Sequence, residues 1–201
     1  MKKFKDFLTE AKDRTEVLLF GRMNPITSGH EENVVNAHKI AMKHKGSLRI
    51  VGSHSHDPEK NPLSPEQKQR HMQRAFGHLS NTMVTTSSKE QPTIMHHAAA
   101  AHASGASHLV IAGGSDRAEE YKTLLNKYNG VKSKHGYYNF KSISVENTGA
   151  RKAGISGTDM RKHAASGNYN QFKSNLPSKL KSNPTHAKEI YNDVRKGMNS
   201  E

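Results

Sequence analysis

Three short apolar runs, each closed by glycine, constrain this chain most: Glu16-Val17-Leu18-Leu19-Phe20 before Gly21, Ser47 to Gly52, and His108-Leu109-Val110-Ile111-Ala112 before Gly113-Gly114. Apolar runs without polar alternation mark strands buried on both faces, which is the habit of parallel sheets. Segments of helical spacing separate them. Gly29 to Lys45 carries Val34, Ala37, His38 and Ala41 on one face and stops at Gly46, while Ser64 followed by Pro65 is an N-cap signal for a helix reaching about Phe76. Pro92 to Ala103 and Arg117 to Tyr128 read as two more helices, and Met83 to Thr86 and Phe140 to Val145 as weaker strands. Ser53 to Pro62 reads as a loop. Strands alternating with helices predict right-handed βαβ units and a doubly wound parallel α/β sheet of about five strands with helices on both faces. In such sheets ligands bind beyond the carboxyl ends of the strands.

Two flanking regions complete the expected organisation. Residues 1–14 hold an amphipathic helix with Phe4, Phe7, Leu8 and Ala11 on one stripe, residues 15–167 form the α/β domain, and residues 168–201 are a helical C-terminal segment. In that C-terminal third the helical pieces are Thr158 to Ala165, Tyr169 to Phe172 and Thr185 to Lys196. A chain of 201 residues suits one compact domain with one core. With 32% hydrophobic residues and no Trp, that core is expected to be modest and built from Leu, Ile, Val, Met and Ala.

The charge balance narrows the partner. Thirty-one Lys and Arg against 18 acidic side chains leave a net charge of +13, which draws the chain to polyanions and to phosphate. No stretch approaches the roughly 18 apolar residues of a membrane span, so no membrane partner is expected. The absence of cysteine excludes disulfides, thiolate metal sites and a cysteine nucleophile, and it fits a reducing, cytoplasmic setting.

The chemistry-bearing residues follow the strands. After the first strand comes GRMNPITSGH, from Gly21 to His30, a loop feeding a helix start. Gly21 and Gly29 permit close backbone approach, free helix N–H groups attract phosphate, and His30 in the first turn is placed to donate to a phosphate oxygen. The Gly-x-x-x-x-Gly-Lys spacing of a P-loop is absent. After the last strand, Gly154-Ile155-Ser156-Gly157-Thr158-Asp159-Met160-Arg161 opens a second helix. Ser156 and Thr158 supply hydroxyls, and Arg161 supplies a cation able to contact polyphosphate. Read alone, each segment is also an ordinary capped helix start.

Taken together, in this order and over Glu16 to Ala165, the segments resemble the nucleotidyltransferase superfamily named for its His-x-Gly-His motif. That group includes nicotinamide mononucleotide adenylyltransferases, phosphopantetheine adenylyltransferases and small cytidylyltransferases. Here Met23 stands for the motif's aromatic residue and Thr27 for its first histidine, as in phosphopantetheine adenylyltransferases, and ISGTDMR matches its Ile-Ser-x-Thr-x-x-Arg. Arg151 to Thr158 is also similar to the cytidylyltransferase form, so the resemblance leaves ATP and CTP both open, with ATP preferred.

The resemblance implies a Rossmann-like domain that transfers a nucleoside monophosphate from a nucleoside triphosphate to a phosphorylated acceptor, nicotinamide mononucleotide first, releasing pyrophosphate. His30 would contact the α- or β-phosphate, Thr27 would replace the histidine's partner, and Arg161, Ser156 and Thr158 would hold the leaving group. Gly21, Arg22, Met23, Asn24, Gly29 and Ile155 would frame the nucleotide. Lys60 would reach phosphate, Gly113, Ser115, Asp116 and Arg117 would meet ribose and base, and Mg²⁺ would bridge the phosphates. Tyr137 or Tyr138 would stack on a nicotinamide ring in the absence of Trp. Many members are oligomers.

Three further readings concern the remainder. His54/His56 and His96/His97 lack a carboxylate or cysteine pattern and are expected to be surface residues rather than metal ligands. The loop Lys132 to Tyr138 is basic and aromatic, a feature of nucleic-acid binders, and carries the alternative of a retired nucleotidyltransferase fold that binds DNA or a capsid. Met1 to Glu10 is similar to the capsid-targeting peptides of T-even-type phages, with Leu8-Thr9-Glu10 as the cleavage pattern, and the Gly113 to Arg117 loop is similar to nucleotidyltransferase-like proteins of large tailed phages. That implies a bacteriophage protein, in the host cytoplasm or packaged in the phage head beside DNA.

Overall fold

The computed structural model describes residues 13–149 and 155–199, so the N-terminal stripe, Gly154 and the cleavage-like sequence lie outside the described residues. Five strands, β1 (Arg14–Gly21), β2 (Ser47–Gly52), β3 (Thr82–Thr86), β4 (Ala106–Gly113) and β5 (Ser142–Asn147), form one sheet in the order β3-β2-β1-β4-β5, every pair parallel. Eight described helices surround it: α1 (Ser28–Lys43), α2 (Pro65–Phe76), α3 (Ile94–Ala103), α4 (Ser115–Lys127), α5 (Gly157–Ala165), α6 (Tyr169–Ser174), α7 (Ser178–Lys181) and α8 (Pro184–Met198). This is the expected doubly wound α/β, Rossmann-like architecture. The strand order reverses between β1 and β4, which places the ligand crevice at their carboxyl ends.

The expectation of one core is corrected. Successive strand residues point to opposite faces, and a sheet covered on both sides therefore builds two cores. Val17, Leu19, Leu48, Ile50, Val110 and Ala112 face α1, α2 and the C-terminal helices, whereas Leu18, Val51, Leu109 and Ile111 face α3 and α4. Aromatic residues contribute as well: Phe76 and Phe172 are buried on the first side, Tyr138 and Phe140 on the second. The C-terminal helices belong to the first cluster through Phe172, Leu176, Leu180, Ile190 and Val194, all fully buried.

Local chemistry explains the boundaries. Ser64 caps α2 with a reciprocal pair, its hydroxyl accepting from the Gln67 amide while the Gln67 side chain accepts from Ser64 N, and Pro65 fills the first position. The last strand starts two residues later than expected because Phe140 is an anchor, its backbone N and O both clamped by the Asn129 side chain at 2.8 and 2.9 Å. The four-residue α7 and the full length of α8 were not expected.

Glycine positions the last helix. A Cβ on Gly197 would lie 1.9 Å from the Pro62 carbonyl oxygen, so α8 meets the β2–α2 loop backbone to backbone. Ala is the better helix former by about 1 kcal/mol, yet Gly197→Ala should lower stability by about 1–3 kcal/mol, the range for overpacking. In calorimetry that is a fall of roughly 3–10 °C in Tm for a chain of this size; an unchanged or raised Tm would show that α8 does not sit on Pro62.

The histidine expectation is corrected at one position. His54 and His96 are half-buried and His56 is exposed, but His97 lies on the buried face of α3, 4% exposed, tilted against Phe20 with ring centroids 5.9 Å apart. Alanine-rich α3 packs close to the sheet and carries His97 with it. Burial, with a smaller push from Arg49, lowers its pKa to about 4. Between pH 6.5 and 4 the unfolded chain takes up a proton that the folded one refuses, so stability is present above this window and lost as pH falls through it. Removing that titration with His97→Phe should flatten the acid limb, worth about 2–3 kcal/mol at one pKa unit per 1.36 kcal/mol. Urea midpoints at pH 7 and pH 4.5 check this, and an equal acid loss in both proteins would contradict it.

Candidate active site

The GRMNPITSGH segment leaves β1 and turns into α1 by fixed contacts. Met23 adopts a left-handed φ of 47° and buries its side chain in the first core, 2% exposed. Asn24 is buried too, and its amide pairs with both backbone groups of Leu63, each at 3.0 Å. Sequence reasoning placed both against a nucleotide; here both belong to the lining of the crevice, and their side chains also brace the loop.

Thr27 is the N-cap of α1. Its hydroxyl accepts from the His30 amide at 3.2 Å, and His30 Nδ1 accepts from the Thr27 amide at 3.1 Å, so histidine plays the part usually taken by Glu or Gln in a capping box. An Nδ1 that accepts a backbone N–H carries no proton of its own. The neutral ring then holds its proton on Nε2, as a donor. Glu31, the next residue, accepts from the Ser178 amide and hydroxyl at 3.0–3.1 Å, and Ser28 N donates to Asn175 O at 2.8 Å. The C-terminal helices thus lock the start of α1.

The second motif opens α5. Ser156 caps it, sharing a reciprocal pair with Asp159 in which Ser156 N and Oγ donate to the carboxylate at 3.1 and 2.5 Å. Arg161, half-buried, spreads its guanidinium between Asn24 O and Thr158 Oγ1, each at 3.0 Å. Two glycines let the motifs touch. A Cβ on Gly157 would stand 3.2 Å from Asn24 O, and one on Gly29 3.4 Å from Ile155 O. Burial, and then the charge of Arg22, push the Arg161 pKa down while Asp57 and Glu59 oppose this, so the β2–α2 loop lies within electrostatic reach.

Between these helix starts lies a cleft of about 800 Å³ at the switch point. Its lining includes Gly21, Arg22, Met23, Asn24, Thr27, Gly29, His30, Lys60, Gly113, Arg117, Ile155, Ser156, Thr158 and Arg161. Lys60 sits at the rim, well exposed, its ammonium 3.6 Å from Glu59 and its backbone N bonded to Asp57 at 2.6 Å. The Ser115 and Asp116 side chains lie outside what is described; the N-cap of α4 is Gly114. Four cationic side chains and two helix N-termini converge on one space, which is chemistry for a polyphosphate. Glu32 is the only carboxylate among the described lining residues.

Tyr137 and Tyr138 do not line this cleft. Tyr138 is fully buried in the second core with its hydroxyl bonded to Leu125 O at 3.1 Å, because the chain turns it inward to seal α4. The cleft's own aromatics are Phe20 and Tyr121, edge-on at 6.0 Å, with Arg117 6.0 Å above the Tyr121 ring. Sequence reasoning missed Tyr121, Glu32, Asn33 and Asn147. Tyr121 follows Arg117 by one helical turn and Asn33 follows His30 by three residues, so extending each motif along its helix face finds them.

One other group has metal-ligand chemistry among the described residues: His71, Glu189 and Asp193. Arg70 and Arg74 already pair with those carboxylates at 2.6–3.0 Å, and His71 Nε2 lies 2.8 Å from Asp193. The set reads as an ion-pair clamp between α2 and α8. In α2, Lys68 is also buried, its ammonium donating to Ser53 O and, at 3.3 Å, to Ser55 O, and burial lowers its pKa to about 8. It ties down the loop that carries Lys60. Among the described residues no helix is long and apolar enough to cross a membrane.

No protein-family model matches the sequence, and no curated protein does. Solved structures do share the fold. A bifunctional NMN adenylyltransferase/ADP ribose pyrophosphatase from Francisella tularensis superposes with a TM-score of 0.56 at 15% identity, over 90% of this chain and 52% of its own. The same enzyme complexed with AMP and a Mn ion gives 0.54 at 16%, over 90% and 52%. The present chain therefore spans about half the length of that enzyme.

Proposed function

We propose that this protein is a nucleotidyltransferase that moves a nucleoside monophosphate, AMP in the first instance, from a triphosphate to a phosphorylated acceptor, and that nicotinamide mononucleotide is the acceptor to test first. The observation that carries this reading is the meeting of two capped helix N-termini across the switch point, with His30 on one and Arg161 on the other, touching through Gly29 and Gly157. Two N-termini and four cations suit a triphosphate better than a single phosphate. The fold shared with an adenylyltransferase-containing enzyme supports the same class.

In the reaction an acceptor phosphate oxygen attacks the α-phosphorus, a new P–O bond forms, and the bond to the β-phosphate oxygen breaks to release pyrophosphate. The protein supplies position and charge rather than a covalent intermediate. His30 Nε2–H donates to the α-phosphate oxygens as charge builds there. Arg161 offers its guanidinium edge to the departing pyrophosphate, aided by the amides of α5 and by Lys60 at the rim. Arg22 and Arg117 balance the acceptor and nucleotide charges, and Tyr121 gives a ring a face to rest on. A divalent cation such as Mg²⁺ would neutralise the triphosphate; with Glu32 the one described carboxylate in the lining, phosphate oxygens and water would supply most of its ligands.

The test crosses ATP and CTP with nicotinamide mononucleotide, phosphopantetheine and glycerol 3-phosphate in the presence of Mg²⁺ and measures pyrophosphate. Release that depends on one triphosphate and one acceptor supports the assignment and names both. Silence across the panel, or release equal without any acceptor, would overturn it.

A further inference from the structure

The basic, aromatic loop is not absorbed by the cleft. It lies at the other end of α4, whose run from Arg117 to Lys127 spans about 15 Å at 1.5 Å per helical residue, on the face of the sheet covered by α3 and α4. That face has an unusual charge pattern. No Asp or Glu occurs between Glu90 and Asp116, nor between Glu120 and Glu146, and the second stretch carries Lys122, Lys127, Lys132, Lys134 and Lys141. Two of the five pair with acids, Lys122 with Glu119 at 3.3 Å and Lys141 with Asp13 at 2.5 Å, and Lys127 lies over the Tyr128 ring at 5.8 Å.

The loop is also preformed. Gly130 N bonds to Tyr138 O at 2.8 Å, Ser133 and Gly136 exchange backbone bonds at 3.1 and 2.9 Å, and Asn129 clamps Phe140. His135 and Tyr138 point inward, 6% and 0% exposed, and pin the loop to the core. The intervening residues point outward. Tyr137 is 45% exposed, one of five exposed large hydrophobics among the described residues, and His102 of α3 meets its ring edge-on at 5.8 Å. Val131 of the same loop is 45% exposed, and Lys132 and Lys134 are exposed. A fixed aromatic ring on a loop that also exposes two lysines, in a stretch of chain without acid, has the elements that hold single-stranded nucleic acid: a base stacks on the ring and the backbone follows the lysines.

We propose that the α3–α4 face, centred on Tyr137, Lys132 and Lys134, binds single-stranded nucleic acid without sequence preference, independently of the cleft. Rigid duplex offers no free base to stack and binds more weakly. Because the loop is already ordered, little conformational entropy is lost on binding.

The test is fluorescence anisotropy with labelled oligo(dT), oligo(U) and a duplex, over a salt series. Oligo(dT) and oligo(U) should bind more tightly than duplex, and their relative affinities show whether DNA or RNA fits better. Tyr137→Ala should weaken single-strand binding about tenfold with the salt slope unchanged, while Tyr137→Trp restores it. Lys132→Gln with Lys134→Gln should reduce the slope by about 1.4, since each phosphate no longer neutralised on a single strand lowers it by about 0.7. Tm should be unaltered, since these side chains are exposed. Binding insensitive to Tyr137→Ala, equal affinity for duplex, or no binding at near-physiological salt would each overturn the proposal.

Discussion

His30→Ala should lower the rate of pyrophosphate release by about 10²–10³, the loss seen when one preorganised donor to a developing oxyanion is removed. The residue has two tasks, and the substitution removes both. Nδ1 closes the capping box with Thr27, while in the proposed reaction the Nε2 proton is the one a phosphate oxygen accepts. Losing the cap costs about 0.5–2 kcal/mol of stability, which a melting curve reads separately from the rate. His30→Gln divides the two tasks, because glutamine is the ordinary partner at that capping position. It should return most of the Tm and little of the rate. Full activity in His30→Gln would show that His30 serves the helix and not the chemistry.

The second large effect belongs to Arg161. Arg161→Met should reduce kcat/KM by about 10²–10³, with most of the loss in kcat, because negative charge on the leaving pyrophosphate grows toward the transition state. Arg161→Lys keeps the charge and still loses much of the rate. A guanidinium spans Asn24 O and Thr158 Oγ1 at 3.0 Å each and has further N–H groups for phosphate, whereas an ammonium cannot hold both anchors in the same plane. A loss expressed in KM alone, with kcat intact, would place Arg161 in ground-state binding only. Steady-state kinetics with the acceptor saturating distinguishes the two.

Much of this fold was legible because the signals were local. β2 starts and ends where its apolar run does, and α2 begins at Ser64-Pro65 because cap and proline act within one turn. The sheet's two-sided burial was legible in the unbroken runs, but its consequence, two separate cores, depends on which neighbours cover each face. The failures share a cause. His97 and Tyr138 are polar or amphipathic side chains whose burial is decided by tertiary packing, and no periodicity reports whether an Ala-rich helix carries its histidine inward. Phe140 continued the alternation of β5, and only the distant Asn129 shows that it precedes the strand.

The cleft was legible through its loops rather than its helices. The switch-point rule directs attention to the residues immediately after each strand, and Gly21, Gly113 and the capped starts of α1 and α5 lie there. Tyr121, Asn33 and Glu32 lie one turn further along, where a motif stops and a helix face continues. Met23 and Asn24 carry a second duty: they are motif positions in the cleft lining whose side chains also hold the loop in shape.

The central claim, transfer of a nucleoside monophosphate in the cleft between α1 and α5, is tested most directly by the fate of label. With ATP carrying ³²P at the α-position, purified protein, Mg²⁺ and nicotinamide mononucleotide, the account predicts label in a new dinucleotide product and, with γ-labelled ATP, label in pyrophosphate alone. Label from the γ-position in the acceptor or in inorganic phosphate, or α-label that stays in ATP with every acceptor of the panel, would contradict it.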